Sequence, residues 1–201
     1  MKHLKRSLAS VALAAFFGGI LLFIPFASAL TQSLTVTGNG AVISGWGAEG
    51  GDCTRISSDD GDTTRLYSPT ATDIRVCALT NPSIPSGSTI NSVTVTAKVR
   101  SLDPVSNTFK ICVRTASTNY CSATKDTNPT TTYQTITEIW ATNPNTSAAW
   151  TTAQLDALEA GLEKTNGVGM GWTYMIVDVD YTEGGGGGAA PADPPLVMWY
   201  F

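Results

Sequence analysis

Ile90-Asn-Ser-Val-Thr-Val-Thr-Ala-Lys-Val-Arg100 decides the fold class. Val93, Val95, Ala97 and Val99 alternate strictly with Thr94, Thr96, Lys98 and Arg100. Period-two alternation over this length describes a strand with one buried and one wet face. Shorter stretches repeat the pattern: Leu34–Thr37, Ala41–Ser44, Thr64–Tyr67, Asp73–Leu79, Thr108–Arg114, Tyr133–Ala141 and Thr173–Tyr181. Turn signals separate them at Gly38-Asn39-Gly40, Asp60-Gly61, Asn81-Pro82, Pro85-Ser86-Gly87 and Asn128-Pro129. Many short strands punctuated this way predict an all-β chain, an antiparallel β-sandwich of jelly-roll-like form. Threonine fits that assignment, since it favours strands and their polar faces.

One segment breaks the period and adds one short α-helix. Thr151 is placed to cap it, with Gln154 as capping-box partner, and Trp150 and Leu155 form a hydrophobic staple. Leu155 and Leu158 share a face. Gly161 reads as the stop, because glycine tolerates the left-handed conformation there. The expected helix is Thr152 to Ala160, with Leu162–Thr165 returning to strand; the competing reading runs the helix on to Lys164.

Outside the sandwich the chain changes character. Residues 1–29 hold a positive start (Lys2, Lys5, Arg6), an apolar run from Val11 to Phe26 and a small-residue cleavage site, Ala27-Ser28-Ala29. That is a secretory signal peptide; an uncleaved anchor is the competing reading. The β-sandwich domain is expected over residues 30–183. Residues 184–195, with five successive glycines from Gly184 and then a proline-rich run, read as a Gly/Pro-rich linker. The short apolar tail 196–201, Leu-Val-Met-Trp-Tyr-Phe, reads as the start of a further segment or as a sticky terminal peptide. Six residues are too few to span a bilayer, so no membrane insertion of the mature domain is expected.

Charge and cysteine usage point outside the cell. The chain carries 12 basic and 16 acidic residues, a formal net charge of −4. Three of the basic residues lie in the signal, so the body is more acidic still. No electrostatic footprint for nucleic acid is present. Cys53, Cys77, Cys112 and Cys121 are an even set in an exported chain, the pattern of two disulfides. Phe109, Ile111 and Val113 form the apolar face of one strand, which puts Cys112 on its other face. A hairpin centred between Ala116 and Ser117 sets Cys121 directly opposite Cys112, within bridging reach. Cys53 is left to pair with Cys77.

A longer phrase carries a family likeness. Glu138-Ile-Trp-Ala-Thr-Asn-Pro-Asn-Thr-Ser-Ala-Ala-Trp-Thr-Thr-Ala-Gln-Leu-Asp-Ala-Leu-Glu-Ala-Gly161 resembles a strand, loop and helical turn of poorly characterised jelly-roll-like β-sandwich domains. Such domains occur in bacterial exported and phage structural proteins. Ser88–Arg100 resembles their central strand and Tyr174–Tyr181 their closing strand, so the likeness runs from about Trp46 to Thr182. It implies a jelly-roll-like sandwich and no catalytic motif. The four cysteines and the signal depart from the pattern, and fit a secreted or cell-surface role better than a virion role.

Candidate chemistry is sparse. His3 is the only histidine, so the exported body lacks the imidazole of Ser-His-Asp, Cys-His and HExxH sites. Asp59, Asp60 and Asp62 surround a glycine turn and are the candidate calcium ligands, a hard cation wanting several oxygens. Their spacing is not that of an EF-hand, and acidic turns form without metal. No other cofactor is expected. Asp178 and Asp180 point from one strand face together, whereas a glycosidase acid and nucleophile must flank the sugar; the solvent-face reading prevails. Tryptophans stand at 46, 140, 150, 172 and 199. Trp46, between Gly45 and Gly47, is the candidate exposed ligand-binding ring, with plugging the end of the core as its competing role. Asn145-Thr146-Ser147 is a formal glycosylation sequon.

These readings converge on a secreted or cell-surface module, not an enzyme, for adhesion or for recognition of glycan or surface protein. The alternative is a self-assembling extracellular or virion-like structural subunit that binds copies of itself through a terminal strand such as Leu34–Thr37, or through the 196–201 tail.

Overall fold

The computed structural model describes residues 28–46, 51–61, 63–69, 72–129 and 131–184. The signal up to residue 27, the linker beyond Gly184, the terminal tail with Trp199, and Asp62 therefore lie outside the described residues.

Ten strands alternate between two sheets. They are β1 (Ala29–Ile43), β2 (Leu66–Ser68), β3 (Ile74–Leu79), β4 (Thr89–Ser101), β5 (Thr108–Thr115), β6 (Thr118–Cys121), β7 (Lys125–Asp126), β8 (Gln134–Trp140), β9 (Glu159–Asn166) and β10 (Met170–Thr182). A 3-10 turn spans Cys53–Ile56, and one helix, α1, spans Thr152–Asp156. The first sheet runs β1-β10-β4-β8, with β2 beside the start of β10. The second runs β1-β3-β9-β5-β6, with β7 also on β5. All pairings are antiparallel. Past β1 and the short first-sheet strand β2, the chain visits the sheets in the order second (β3), first (β4), second (β5 to β7), first (β8), second (β9), first (β10). That winding is a jelly roll, as the period-two pattern predicts.

One strand belongs to both sheets, and here the sequence reading is corrected. Leu34–Thr37 and Ala41–Ser44 are not two strands around a Gly38-Asn39-Gly40 turn. Apart from Ser44 they are parts of β1, which pairs with β10 up to Thr35 and with β3 from Val36 onward. The register with β3 shifts between Val36 and Gly38 and again between Asn39 and Ile43. Glycines in a strand interior mark such bulged corners. Gly40 also lies against the backbone of Val76 and the side chain of Glu159, where a Cβ would sit 2.8 Å from the Val76 oxygen.

A single core joins the sheets. Val93, Val95, Ala97 and Val99 of β4 and Val177 and Val179 of β10 face Phe109, Ile111 and Val113 of β5 and Leu162 of β9. Each fully buried aliphatic side chain contributes about 1.5–3 kcal/mol relative to exposure. Helix α1 closes part of this core with buried Trp150, Leu155 and Leu158. Its capping box is present: Gln154 N donates to Thr151 Oγ1 at 3.3 Å and Thr151 N to Gln154 Oε1 at 3.0 Å.

The helix is shorter than its sequence pattern suggests. It ends at Asp156, and β9 begins at Glu159 rather than Leu162. Residues 159–163 pair with β3 on one side and β5 on the other. Two ladders of backbone hydrogen bonds outweigh one more turn of a short helix. Gly161 is thus a strand residue, not a helix stop. A Cβ there would lie 1.9 Å from the Arg75 oxygen, so only glycine lets β3 approach this closely.

Candidate functional site

The outward side chains of the first sheet fall into rows across its strands. Register aligns Thr35, Ile176, Thr96 and Thr137 on β1, β10, β4 and β8. One step along the strands, Ser33, Asp178, Thr94 and Ile139 form the next row. One step the other way stand Tyr174, Lys98 and Thr135. All are out of phase with buried Val93, Val95, Ala97, Val177 and Val179, which fixes them on the outer face. Ile139 is the most exposed large apolar residue of this row set, at 62 %.

Lys98 and Asp178 on this face have local partners. Lys98 Nζ pairs with Asp59, which reaches in from the loop after the 3-10 turn. Asp178 accepts from Ser33 Oγ at 2.6 Å. The central row, Thr35 to Thr137, is uncharged and presents methyls and hydroxyls together. Tyr174 borders it. Burial first, then the charges of Asp178 and Asp59, push the Tyr174 phenol above its ordinary pKa, while Lys98 works the other way. The shift favours the protonated hydroxyl, which can donate a hydrogen bond.

Beyond Tyr174, β10 carries Gly171, paired with Tyr67 of β2 and Arg100 of β4. Without a side chain there, Leu102, Tyr133 and Arg65 converge: a Cβ on Gly171 would meet them at 3.3, 3.5 and 3.6 Å. The Arg100 guanidinium lies 4.8 Å from the Tyr133 ring centroid, a cation–π contact. This end of the face therefore combines half-buried tyrosines and guanidinium groups.

A buried polar network stiffens the loops at the same end. Asn107 Nδ2 donates to Ser101 Oγ at 2.9 Å and to the Gly169 carbonyl at 2.8 Å. The Ser101 and Thr127 hydroxyls share a hydrogen bond of 2.6 Å. Lys164 is fully buried. Its ammonium donates to the carbonyls of Gly167 at 2.9 Å and Ser68 at 3.3 Å. Burial lowers its pKa, and nearby Asp73 opposes that shift.

Trp46 is corrected. Its ring is 1 % exposed, not a solvent-facing platform. It packs edge-on against Trp172, with centroids 5.6 Å apart, and its Nε1 donates to the Asp73 carbonyl at 3.0 Å. A wide apolar ring with one satisfied donor gains more by closing the core than by standing in water. Trp150 and Trp172 are buried too, and Trp140 is half-buried. In the acidic turn, Asp59 holds Lys98, and Asp60 accepts from Thr64 N at 3.2 Å and Thr64 Oγ1 at 2.6 Å. Asp178 and Asp180 lie on the outer face, apart from the core-facing Val177 and Val179.

The cysteines form Cys53–Cys77 and Cys112–Cys121. Cys112 is opposite Cys121 in the register of β5 and β6. The hairpin turn has positive φ at both Ala116 and Ser117, the geometry of a two-residue type I′ turn. Glu163 lies beside Cys112 and Cys121, but disulfide sulfurs are not the thiolates that bind metal. Among the described residues no helix is long and apolar enough to cross a membrane.

No protein-family model matches the chain, and no curated protein matches it in sequence. Among solved structures, the CBM22-1 xylan-binding domain from Paenibacillus barcinonensis Xyn10C superimposes over 76 % of this chain and 95 % of its own. The TM-score is 0.38 and the identity 10 %. A superposition this loose assigns neither family nor ligand. The resemblance to exported and phage domains gains no matching family, and the jelly-roll assignment stands on the strand order itself.

Tyr174, not the tryptophan expected from the sequence, is the aromatic ring beside the uncharged row. Tyr174 shares the parity of Ile176 and Asp178 along β10, so its outward direction was readable. That Thr96 and Thr137 stand beside it was not, because that needs the order of the strands.

Proposed function

We propose that the protein is a non-catalytic, exported recognition module that binds glycan on the outer face of its first sheet. The observation that carries this reading is the central row Thr35, Ile176, Thr96 and Thr137 beside Tyr174. Sugar rings offer apolar C–H faces and hydroxyl edges. Threonine methyls, Ile176 and the Tyr174 ring answer the first; threonine hydroxyls and the Asp178 carboxylate answer the second. Two disulfides suit an oxidising, extracellular setting. The exported body has no histidine, and its outer-face carboxylates Asp178 and Asp180 project from one strand rather than from either side of a substrate. The reading calls on no cofactor: Asp59 and Asp60 already hold Lys98 and Thr64.

The test is titration of the oxidised protein with a panel of polysaccharides, with calcium and with chelator. Binding that survives chelator and drops about tenfold or more in Tyr174→Ala, with unfolding unchanged, is expected. Absence of binding across the panel overturns the reading.

A further inference from the structure

The geometry points to an unbranched, neutral glycan that lies across the strands of the first sheet, one sugar unit to a strand. This rests on the glycan reading above and adds the ligand's charge, its direction and its length.

Direction follows from where the charges stand. Along the strands, the uncharged row is bounded on one side by Asp178, with Asp180 beyond it, and on the other by Lys98 with Asp59. A chain laid along β10 would run from carboxylates over a tyrosine into an ion pair. A chain laid across the strands stays on Thr35, Ile176, Thr96 and Thr137 throughout. Strands lie about 4.8 Å apart, close to the length of one unit of an extended glycan, and the four side chains span about 14 Å. Each strand then offers one methyl-bearing side chain to one ring.

Charge follows from the same map. A uronate over this row would meet Asp178 and Asp180 on one flank, and Lys98, the cation that borders the row among the described residues, is already held by Asp59. Moving a second carboxylate beside Asp178 is repulsive. A neutral chain meets no such cost. Branches are disfavoured where Tyr174 and Ile139 stand in the rows on either side. Among the described residues no strand other than β4 pairs with β8, so the row ends there at the edge of the sheet.

The experiment is calorimetric titration of the oxidised chain with neutral linear oligosaccharides, from disaccharide to hexasaccharide, of the glucan, mannan and xylan types. Polygalacturonate and alginate serve as acidic probes. Affinity is expected to rise up to about the tetrasaccharide and then level off, as the sheet runs out of strands. Thr96→Lys and Thr137→Lys, at exposed or half-buried sites out of phase with the core, are expected to weaken neutral-ligand binding about tenfold or more. Unfolding midpoints should match the parent. Preference for the uronate polymers, affinity that climbs steadily to the hexasaccharide, or indifference to both lysine variants overturns this inference while leaving glycan binding intact. Failure of every glycan, neutral and acidic, overturns the glycan reading itself.

Discussion

Trp46 and Tyr174 show how one side chain's surroundings decide its role. Both are aromatic, and both sit near glycines or polar residues in sequence. Trp46 finds Trp172 and the Asp73 carbonyl and is consumed by the core. Tyr174 sits in the outward phase of β10, between Asp178 and Lys98, and is left at the surface of the sheet. Its pKa is raised, chiefly by burial. A raised value means that its share of stability is complete below the ordinary tyrosine pKa and is lost as pH rises through the folded-state value. Stability of the parent should therefore decline above about pH 10 with a component that Tyr174→Phe removes. Thermal unfolding of both proteins across that range measures it; identical pH profiles would contradict the assignment.

At the scale of elements, the disulfides close loops of different size. Cys53–Cys77 joins the 3-10 turn to β3 across a separation of 24 residues, and Cys112–Cys121 closes the β5–β6 hairpin across 9. Chain-entropy arguments assign about 3.4 kcal/mol to the longer loop and about 2.6 kcal/mol to the shorter. The longer bridge also fixes the segment that carries Asp59 to Lys98. Replacing Cys53 and Cys77 together by alanine should thus lower stability more than replacing Cys112 and Cys121, and only the first pair should disturb binding at Tyr174. Denaturant unfolding and glycan titration of the two double variants test both statements. The hairpin was the most legible element of all, because parity and turn position set Cys112 against Cys121. Helix α1 was half-legible. Its capping box is local and could be read; its end is set by the two strands that claim Glu159 to Glu163.

Among the described residues the first sheet has its edges at β1 and β8, and both are guarded. Along β8, Glu138 shares the face of Val95 and meets Lys125 of the opposite sheet at 2.7 Å. Trp150 Nε1 caps the Trp140 carbonyl at 3.1 Å. Along β1, Thr80 accepts from Thr35 N at 3.0 Å through its hydroxyl and donates to Thr35 O at 2.9 Å through its own N–H. Inward charges and capped backbone groups hinder addition of a neighbour's strand. The Leu34–Thr37 segment is therefore a poor assembly handle. The oxidised protein freed of residues 1–29 and 184–201 should scatter light as a monomer, and Glu138→Ala should increase its association. A stable assembly formed by the parent domain would favour the structural-subunit alternative.

Elements that depend on neighbours along the chain are legible before any fold is known. Period-two alternation gave β4 its inner and outer faces, hairpin parity paired Cys112 with Cys121, and Thr151 with Gln154 started α1. Which strands lie side by side emerges with long-range packing alone. It turned Gly38-Asn39-Gly40 from a turn into the corner of one strand shared by two sheets. It also buried Trp46 and aligned Thr35, Ile176, Thr96 and Thr137 from four distant segments. Side-chain direction is a local property of the extended backbone. Strand order is a property of long-range burial and pairing, and the candidate binding row exists only once that order is set.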